Sequence, residues 1–185
     1  MKNKNILILT GSPRRNGNSD MMAEAFVKGA LSVGHEVTIF ETSSKKIAGC
    51  SACKTCWSKG TPCSFQDDFD QLIPMLEEAD VIVFSMPLYW FSFPAQIKAA
   101  IDRMYAYLGS NCKRPLKIKQ SIFMVCGADQ EMEVFDGIIM SYKKIVHYMK
   151  WADKGVLAVP GVREKGDIKE TDALAKAEEL GKNLG

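Results

Sequence analysis

Apolar residues along the chain follow two alternating patterns, which predict strands and helices in turn. Five short runs are almost continuously apolar, as expected for strands buried on both faces of a parallel sheet: residues 6–10, 37–40, 81–84, 121–126 and 156–159. Each run is followed by apolar residues at helical spacing, such as Met22, Phe26 and Ala30 after the first. The pattern therefore predicts a β–α unit repeated five times.

Strands that alternate with helices require right-handed parallel crossovers and a sheet covered by helices on both faces. We predict a doubly wound, three-layer α/β/α sandwich with a five-stranded parallel sheet in the order 2-1-3-4-5. With 185 residues, the chain is expected to form one domain over residues 1–185. Ligands of such a sheet bind beyond the carboxyl ends of the strands, where the winding reverses. The loops after strands one, three and four should therefore build the site.

Composition and charge exclude several classes of partner. Hydrophobic residues make up 46% and charged residues 25%, with 24 basic and 22 acidic side chains, which is ordinary globular composition. No basic groove interleaved with aromatic residues is visible, so we expect no nucleic-acid partner. The charged start, Met1 to Lys4, is followed by too short an apolar run for an export signal, and no apolar stretch reaches the ~18 residues of a membrane span. We expect a cytoplasmic protein without a membrane partner.

The first β–α loop has the features of a phosphate site. Its sequence, GSPRRNGNS over residues 11–19, lies between a buried strand and a helix N-terminus, where free N–H groups and the helix dipole favour an anion. Ser12, Asn18 and Ser19 can hydrogen-bond phosphate oxygens, and Arg14 or Arg15 can add a charge-assisted bond. Asn18 and Ser19 are also candidate helix caps. The alternative interpretation is a polar loop that binds no phosphate and in which a serine caps the helix.

Several phosphate-binding classes lack their key residue in this loop. A Walker loop needs a lysine before Ser19, where Asn18 stands, and Ser12-Pro13 breaks the dinucleotide fingerprint. A phosphatase of this topology needs a cysteine where Thr10-Gly11 stand. A phospho-accepting receiver needs an aspartate where Ser85-Met86 stand. The sequence therefore argues against ATP, a typical NAD site, and both of those reactions.

The loop after strand three carries four aromatic residues in the sequence PLYWFSFP, residues 87–94. A flavin ring is large, flat and amphipathic, so aromatic side chains next to backbone N–H groups suit it. Tyr89 and Trp90 are the better flavin contacts, whereas Phe91 and Phe93 could instead pack on the next helix or form a subunit contact. After strand four, Gly127, Ala128 and Asp129 include the small residues that allow backbone to approach a ring edge.

The loop sequence GSPRRNGNS, the segment PLYWFSFPAQIKAAIDR and the five-fold β–α order together resemble the NAD(P)H-dependent FMN reductases of the flavodoxin-like superfamily. This resemblance implies a non-covalent FMN and a homodimer or homotetramer with the flavin near a subunit interface. It implies that the FMN phosphate is held by Ser12, Pro13, Arg14, Asn18 and Ser19, and that the ring is framed by Pro87, Leu88, Tyr89, Trp90, Phe91, Gly127 and Ala128.

The expected reaction passes hydride from NAD(P)H to the flavin, which then delivers electrons to a small-molecule or protein acceptor. The flavin supplies the chemistry, so we assign no side chain as acid or base, and Trp90 or Phe91 is expected to gate the open face of the ring. An electron-transfer module without nicotinamide activity is the alternative. Such carriers tend to be strongly acidic, whereas this chain has a net charge of +2, which favours the enzyme. A flavin-free enzyme with another phosphate ester remains a third interpretation.

A long loop at about residues 42–66 carries four cysteines, Cys50, Cys53, Cys56 and Cys63. Four thiolates in one loop can hold a cubane cluster, and the CxxCxxC spacing resembles the compact motif of the iron–sulfur flavoproteins, which carry a [4Fe–4S] cluster beside FMN. Metal-free thiols, a zinc site and a redox disulfide are the alternatives. No role is assigned to His35, His147 or Cys112, and Cys126 is expected to be a buried apolar residue.

Overall fold

The computed structural model describes residues 3–58, 61–109 and 112–184. Residues 1 and 2 of the charged N-terminal start, and residues 59 and 60 of the cysteine loop, lie outside this part. The strands are β1 (Asn5–Thr10), β2 (Glu36–Glu41), β3 (Val81–Pro87), β4 (Gln120–Cys126) and β5 (Ala152–Val159). The α-helices are α1 (Asn18–Ser32), α2 (Thr55–Ser58), α3 (Phe69–Glu78), α4 (Ala95–Arg103), α5 (Asp136–Met149) and α6 (Ala173–Lys182), and short 3-10 helices span Thr42–Ser44, Met104–Tyr107, Met132–Phe135 and Asp167–Glu170.

The sheet confirms the predicted topology. Its five strands are ordered β2-β1-β3-β4-β5, and every pair is parallel. In the centre, Ile8 of β1 is paired with Ile39 of β2 on one side and Val83 of β3 on the other. The carboxyl ends of β1, β3 and β4 therefore meet at one edge of the sheet, where the ligand site was expected.

Two hydrophobic cores lie on the two faces of the sheet, because successive residues of a strand point to opposite faces. Ile6 and Ile8 pack with residues of α1 and α6, while Leu7 and Leu9 pack with residues of α3, α4 and α5. The central strands are buried on both sides, which explains their continuous apolar sequence. Cys126 belongs to the core on the α1 side of the sheet, with 4% of its surface exposed, and is the buried residue that the sequence predicted.

Two elements extend beyond their sequence patterns. β5 begins at Ala152, four residues before the predicted start, and its first three residues are exposed. This strand lies at the edge of the sheet, so its beginning needs no apolar side chains. α3 continues through Pro74, a residue type that disfavours the interior of a helix. Proline removes one backbone donor there, but Leu72 and Leu76 on either side are fully buried and hold the helix to the core.

The predicted N-cap of α1 is wrong in detail. α1 begins at Asn18 with Gly17 in the capping position, so neither Asn18 nor Ser19 is the cap. Asn18 is unavailable because its side-chain amide is bonded to a distant loop, described below. At α3, Asp67 accepts the Phe69 amide hydrogen at 3.0 Å, and the Gln71 side chain reaches only the carboxylate of Asp68. No helix in the described part of the chain is long and apolar enough to cross a membrane.

Candidate functional site

A cleft opens at the carboxyl edge of the sheet, between the loops that follow β1, β3, β4 and β5. It measures about 400 Å³. A second cleft of about 530 Å³ adjoins it towards the aromatic loop, and the two share the lining residues Leu88, Tyr89, Gly127, Ala128 and Arg163. The first cleft is lined by Ser12, Arg14, Gly17, Asn18, Ser19, Pro87, Leu88, Tyr89, Cys126, Gly127, Ala128, Val162, Arg163 and Glu164. The second adds Trp90, Phe91, Asp129 and Val134. Of the twelve residues predicted to bind the cofactor, eleven line one cleft or both.

The loop after β1 is a compact turn. The Gly11 amide donates to the carbonyl oxygen of Ser85 on β3 at 3.1 Å, and the Gly17 amide donates to that of Arg14 at 3.0 Å. The Ser12 hydroxyl accepts the Arg14 amide hydrogen at 3.1 Å. A side chain at residue 11 would place its Cβ 3.1 Å from the Cβ of Met86, so glycine allows the loop to leave the sheet in close contact with β3.

The N-terminus of α1 points into the cleft. Its first backbone hydrogen bond runs from the Met21 amide to the Gly17 carbonyl at 3.0 Å. The amides of Asn18, Ser19 and Asp20 come before that bond and have no partner within the helix, which is the usual basis of an anion site. The Ser19 side chain also lines the cleft. This end of the helix can therefore hold a phosphate group.

Pro13 is the one predicted residue that lies elsewhere. It lines a separate cavity of about 610 Å³ between α1 and β2, together with Arg15 and Asp20. Burial raises the pKa of Asp20, although hydrogen bonds from the Gly17 and Asn16 amides act in the opposite direction. Asp20 therefore lines this cavity and is not among the residues that line the two clefts.

The loop after β5 is a part of the site that sequence reasoning missed. The Asn18 side chain donates to the Glu164 carbonyl at 2.9 Å and accepts the Gly166 amide hydrogen at 3.0 Å. The Arg14 guanidinium donates to the carbonyl of Arg163 at 3.2 Å. Two predicted phosphate ligands therefore hold this loop against the first one, and Arg163 lines both clefts. The sequence signal for this loop was the end of a fifth predicted parallel strand, followed by Gly161. In the structure Gly161 has a φ of 72°.

The aromatic loop forms a tight hairpin. Tyr89 and Ser92 pair as a single antiparallel bridge, with backbone bonds of 3.2 and 3.0 Å in the two directions. Trp90 and Phe91 between them have φ angles of 46° and 60°. Such turns normally carry Asn-Gly, because a left-handed backbone costs other residues about 1–2 kcal/mol each. Trp90 is 93% exposed and Phe91 58% exposed. Strain retained at an exposed aromatic tip points to a functional role.

The remaining aromatic residue and the glycine after β4 have different roles. Phe93 is buried, and its ring centroid lies 5.9 Å from that of Phe123, so this residue packs in the core. A Cβ at Gly127 would lie 3.1 Å from the Phe135 ring and 3.4 Å from the Leu88 Cβ. The backbone at Gly127 therefore lies open to the cleft without a side chain in the way.

The cysteine loop is closed at its base by carboxylates. Asp68 accepts the Lys46 amide hydrogen at 2.7 Å, and Asp67 accepts that of Ala48 at 3.0 Å. Arg103, at the end of α4, pairs with Asp67 at 2.8 Å. Burial would raise the pKa of Asp67, but its hydrogen bonds with Arg103 and with the Ala48 and Phe69 amides hold the pKa below its ordinary value. The segment between residues 48 and 67 is thus a loop with fixed ends.

All four cysteines of this loop line one pocket. The pocket measures about 20 Å³, room for about one water molecule. Among residues 3–58, 61–109 and 112–184, no three His, Cys, Asp or Glu side chains are placed to share one metal ion. Hydrogen bonds, chiefly from the Thr55 hydroxyl at 3.2 Å, lower the pKa of the exposed Cys53 to about 6, whereas burial raises the pKa of Cys56. Thiols are the usual ligands of iron–sulfur clusters, but in this arrangement the four sulfur atoms do not converge on one point.

The cysteine pocket and the cleft lie at opposite ends of α4. The aromatic hairpin directly precedes Ala95, and Arg103, the last residue of the helix, lines the cysteine pocket. Nine helical residues rise about 13 Å. The two linings share no residue. The sequence suggested a cluster beside the flavin, but within one chain the thiols do not reach the cleft.

Fold and cleft together define a class: this is a flavodoxin-like α/β protein with a cleft at the switch point of the sheet. The sequence pattern described as NADPH-dependent FMN reductase matches residues 4–136. The chain therefore belongs to the NADPH-dependent FMN reductase family.

Individual relatives agree with this assignment. An iron–sulfur flavoprotein of Archaeoglobus fulgidus is 38% identical over 126 residues, which cover 68% of this chain and 56% of that protein. The match thus spans about half the length of that relative. YwqN of Bacillus subtilis, named as a candidate NAD(P)H-dependent FMN-containing oxidoreductase, is 25% identical over 95% of both chains.

Solved structures share the fold. An NAD(P)H:quinone oxidoreductase from Methanothermobacter marburgensis superposes with a TM-score of 0.77 at 21% identity, over 99% of this chain and 98% of the other. An azoreductase of Bacillus anthracis superposes with a TM-score of 0.74 at 14% identity, over 98% and 100%. At these identities the likeness shows the fold alone.

Proposed function

We propose that this protein is an FMN-dependent oxidoreductase that takes hydride from NAD(P)H and passes electrons to a quinone-like small molecule or a protein acceptor. The observation that carries the proposal is the cleft, where a helix N-terminus, an aromatic hairpin and a glycine loop face one another. The family and the names of the relatives support the same activity.

Different residues of the cleft bind different parts of FMN. The N-terminus of α1 and Ser19 hold the phosphate group, and Arg163 adds a positive charge. Tyr89 and Leu88 cover one face of the ring, and the backbone at Gly127 meets its edge. Bound FMN supplies the capacity to accept hydride and release electrons singly or in pairs. The protein provides placement and exclusion of water.

Trp90 and Phe91 cover the approach to the ring. Both line the outer cleft, and their strained backbone presents them at its rim. We propose that they position the nicotinamide, since hydride transfer needs closely aligned donor and acceptor. Trp90→Ala is expected to lower NAD(P)H turnover without changing FMN content. A rise in turnover at unchanged FMN content would contradict a positioning role.

We further propose that Cys50, Cys53, Cys56 and Cys63 hold a [4Fe–4S] cluster that serves as a one-electron carrier. All four line one pocket, and a zinc ion suits the sequence less well because structural zinc sites usually pair two CxxC units separated by a longer insert. The pocket is too small for a cluster as it stands, so the cysteine loop has to open while its base stays closed. The A. fulgidus relative carries the name iron–sulfur flavoprotein.

The exposed rim suits a homo-oligomer. Trp90, Phe91, Met132 and Met140 are all about half exposed or more, and a Cβ at Gly137 would lie 3.3 Å from the Phe91 carbonyl, which places α5 beside the hairpin. Clustered exposed apolar residues mark interaction sites. We propose a homodimer or homotetramer assembled through this rim.

An absorbance spectrum of anaerobically purified protein, before and after dithionite, tests both cofactors. Flavin bands near ~370 and ~450 nm with a broad ~400 nm absorbance that bleaches on reduction are expected. A variant with all four loop cysteines changed to serine should keep the flavin bands alone. Oxidation of NADH or NADPH with a quinone then separates the enzyme from a carrier, because a carrier binds FMN without turnover. Absence of flavin after FMN is supplied would overturn the proposal.

A further inference from the structure

Asn18 is a candidate phosphate ligand whose side chain is engaged elsewhere. It stands at the start of α1 and is 9% exposed. Its side-chain nitrogen donates to the carbonyl of Glu164 at 2.9 Å, and its oxygen accepts the amide hydrogens of Gly166 at 3.0 Å and Ile168 at 3.4 Å. One buried side chain thus makes three hydrogen bonds to the backbone of a single turn after β5, residues 163–168, which we call the β5 turn.

The β5 turn is also closed from within and tied down at its beginning. The Asp167 carboxylate accepts the amide hydrogens of Arg163 at 3.0 Å and Glu164 at 2.7 Å. Directly before the turn, the Val162 amide donates to the carbonyl of Gly127, in the loop after β4, at 2.9 Å. The backbone is therefore held by hydrogen bonds on both sides of Arg163, which fixes the direction in which its side chain leaves the turn.

The orientation of the β5 turn matters because it carries two neighbouring side chains of opposite charge. Arg163 and Glu164 both line the first cleft, and of the two only Arg163 also lines the second. A phosphate at the N-terminus of α1 is attracted by a guanidinium and repelled by a carboxylate. Without the bond from Asn18, the peptide unit of Glu164 is free to rotate, and either side chain can face the phosphate.

We propose that Asn18 is a positioning residue, whose side chain fixes the β5 turn so that Arg163, and not Glu164, faces the phosphate of FMN. The inference rests on the proposed function and deepens it, because it assigns the preference for a phosphorylated flavin to a residue that acts through another. Arg14 also holds the turn, since its guanidinium donates to the Arg163 carbonyl at 3.2 Å. Its own charge would act on a phosphate, however, so Asn18 gives the cleaner test.

Two variants loosen the β5 turn from different sides. Asn18→Ala removes the three side-chain bonds and leaves the backbone amide at the start of α1 in place. Asp167→Ala removes the bonds within the turn, and this residue lines neither cleft. Ser32→Ala is the matched control, because it removes a side-chain hydrogen bond of 2.7 Å to the Gly29 carbonyl near the other end of α1. Each variant is also made in an Arg163→Ala background, and circular dichroism verifies that each is folded.

The measurement is the dissociation constant of FMN, and separately of riboflavin, for the flavin-free protein, followed by flavin fluorescence. We expect Asn18→Ala and Asp167→Ala each to weaken FMN binding about fivefold and to leave riboflavin binding unchanged, because riboflavin lacks the phosphate. In the Arg163→Ala background neither substitution should weaken FMN binding further, since residues that act through one another are not additive. Ser32→Ala should match the unaltered protein with both ligands.

Three results would overturn the inference and leave the proposed function standing. A loss that multiplies with that of Arg163→Ala would show that Asn18 acts on the phosphate independently of Arg163. Equal losses for FMN and riboflavin would show that Asn18 only stabilises the fold, and unchanged FMN binding in both turn variants would show that the turn needs no such support. If Asn18→Ala does not fold, Asp167→Ala decides by the same criteria. Unaltered protein that binds no FMN would overturn the proposed function together with this inference.

Discussion

At the residue scale, the cleft depends on arginines with different partners. Arg14 donates to the Arg163 carbonyl and so helps to hold the last loop in place. Arg163 is exposed and lines both halves of the cleft. The bond to the Arg163 carbonyl uses one of the five N–H donors of Arg14 and leaves its positive charge in place. Among the described residues, the Arg163 side chain makes no such bond to the first loop, so it can turn towards a phosphate at the N-terminus of α1.

We therefore predict that Arg163→Ala weakens FMN binding about tenfold, because a hydrogen bond to a charged group contributes about 1.5–3 kcal/mol. Titration of FMN into the flavin-free protein, followed by flavin fluorescence, measures this change. Riboflavin, which lacks the phosphate, should bind both proteins equally. Lys165→Ala alters an exposed charge outside both clefts and should have no effect. Equal losses for FMN and riboflavin would show that Arg163 contacts another part of the flavin.

At the element scale, α1 is placed by close backbone contact with α6. A Cβ at Gly29 would lie 1.9 Å from the Glu178 carbonyl oxygen, and one at Gly181 would lie 2.3 Å from that of Phe26. Two glycines thus allow the helices to approach more closely than side chains would permit. This contact matters for function because α1 presents its N-terminus to the cleft.

We predict that Gly29→Ala and Gly181→Ala each lower the free energy of unfolding by about 2 kcal/mol, since overpacking a tight contact typically costs about 1–3 kcal/mol. Urea denaturation measures the change. Gly49→Ala is the control, because a Cβ there meets nothing within 4 Å, and it should stay within about 0.5 kcal/mol of the unaltered protein. Wild-type stability of both helix variants would argue against the close packing.

We expect the strained backbone of the aromatic hairpin to lower the free energy of unfolding, and the exposed aromatic side chains to serve function. Phe91→Gly should raise the free energy of unfolding by about 0.5 kcal/mol, because relief of a left-handed residue, about 1–2 kcal/mol, exceeds the entropic cost of glycine, about 0.5–1 kcal/mol. NAD(P)H oxidation should fall at the same time. Met132→Gly, at a similarly exposed residue without a positive φ, should only destabilise. A Phe91→Gly protein that is less stable would contradict stored strain.

At the scale of the whole molecule, the two candidate redox sites are separated by the length of α4. The cleft opens at the rim that carries the exposed aromatic residues, whereas the cysteine pocket lies at the other end of the helix. Electrons that pass between them within one chain must cross that distance. An assembly of several chains changes which sites are neighbours, so the oligomeric state bears directly on the electron path.

We predict that Met140→Asp weakens self-association at least tenfold, because Met140 is 56% exposed and one turn of α5 from the residue that contacts the hairpin. Sedimentation equilibrium over a range of concentrations gives the dissociation constant. Tyr148→Asp is the matched control, since it places the same charge on an exposed residue near the other end of α5. Equal effects of the two substitutions would place the interface elsewhere.

Local sequence patterns were sufficient to predict most of the architecture. The apolar runs located all five strands. The three central strands are buried on both faces and are therefore almost continuously apolar, whereas β2, at the edge of the sheet, is mostly exposed. The pattern failed at β5, where an edge strand needs no such sequence, and at the start of α1, where Asn18 serves a distant loop instead of its own helix. The pattern of apolar residues thus predicts the strands and helices. It fails where a strand lies at the edge of the sheet or where a side chain binds a distant part of the chain.

For the candidate site, sequence by itself determined three of the four loops that line the cleft, since the carboxyl ends of parallel strands meet at one edge and the first and third loops carry residues suited to phosphate and flavin. Only the tertiary structure brought in Arg163, assigned Phe93 to the core and placed Arg103 against the cysteines. Each of these depends on residues tens of positions apart. Local spacing is set by the backbone geometry of one segment, whereas such contacts are set by how whole elements pack.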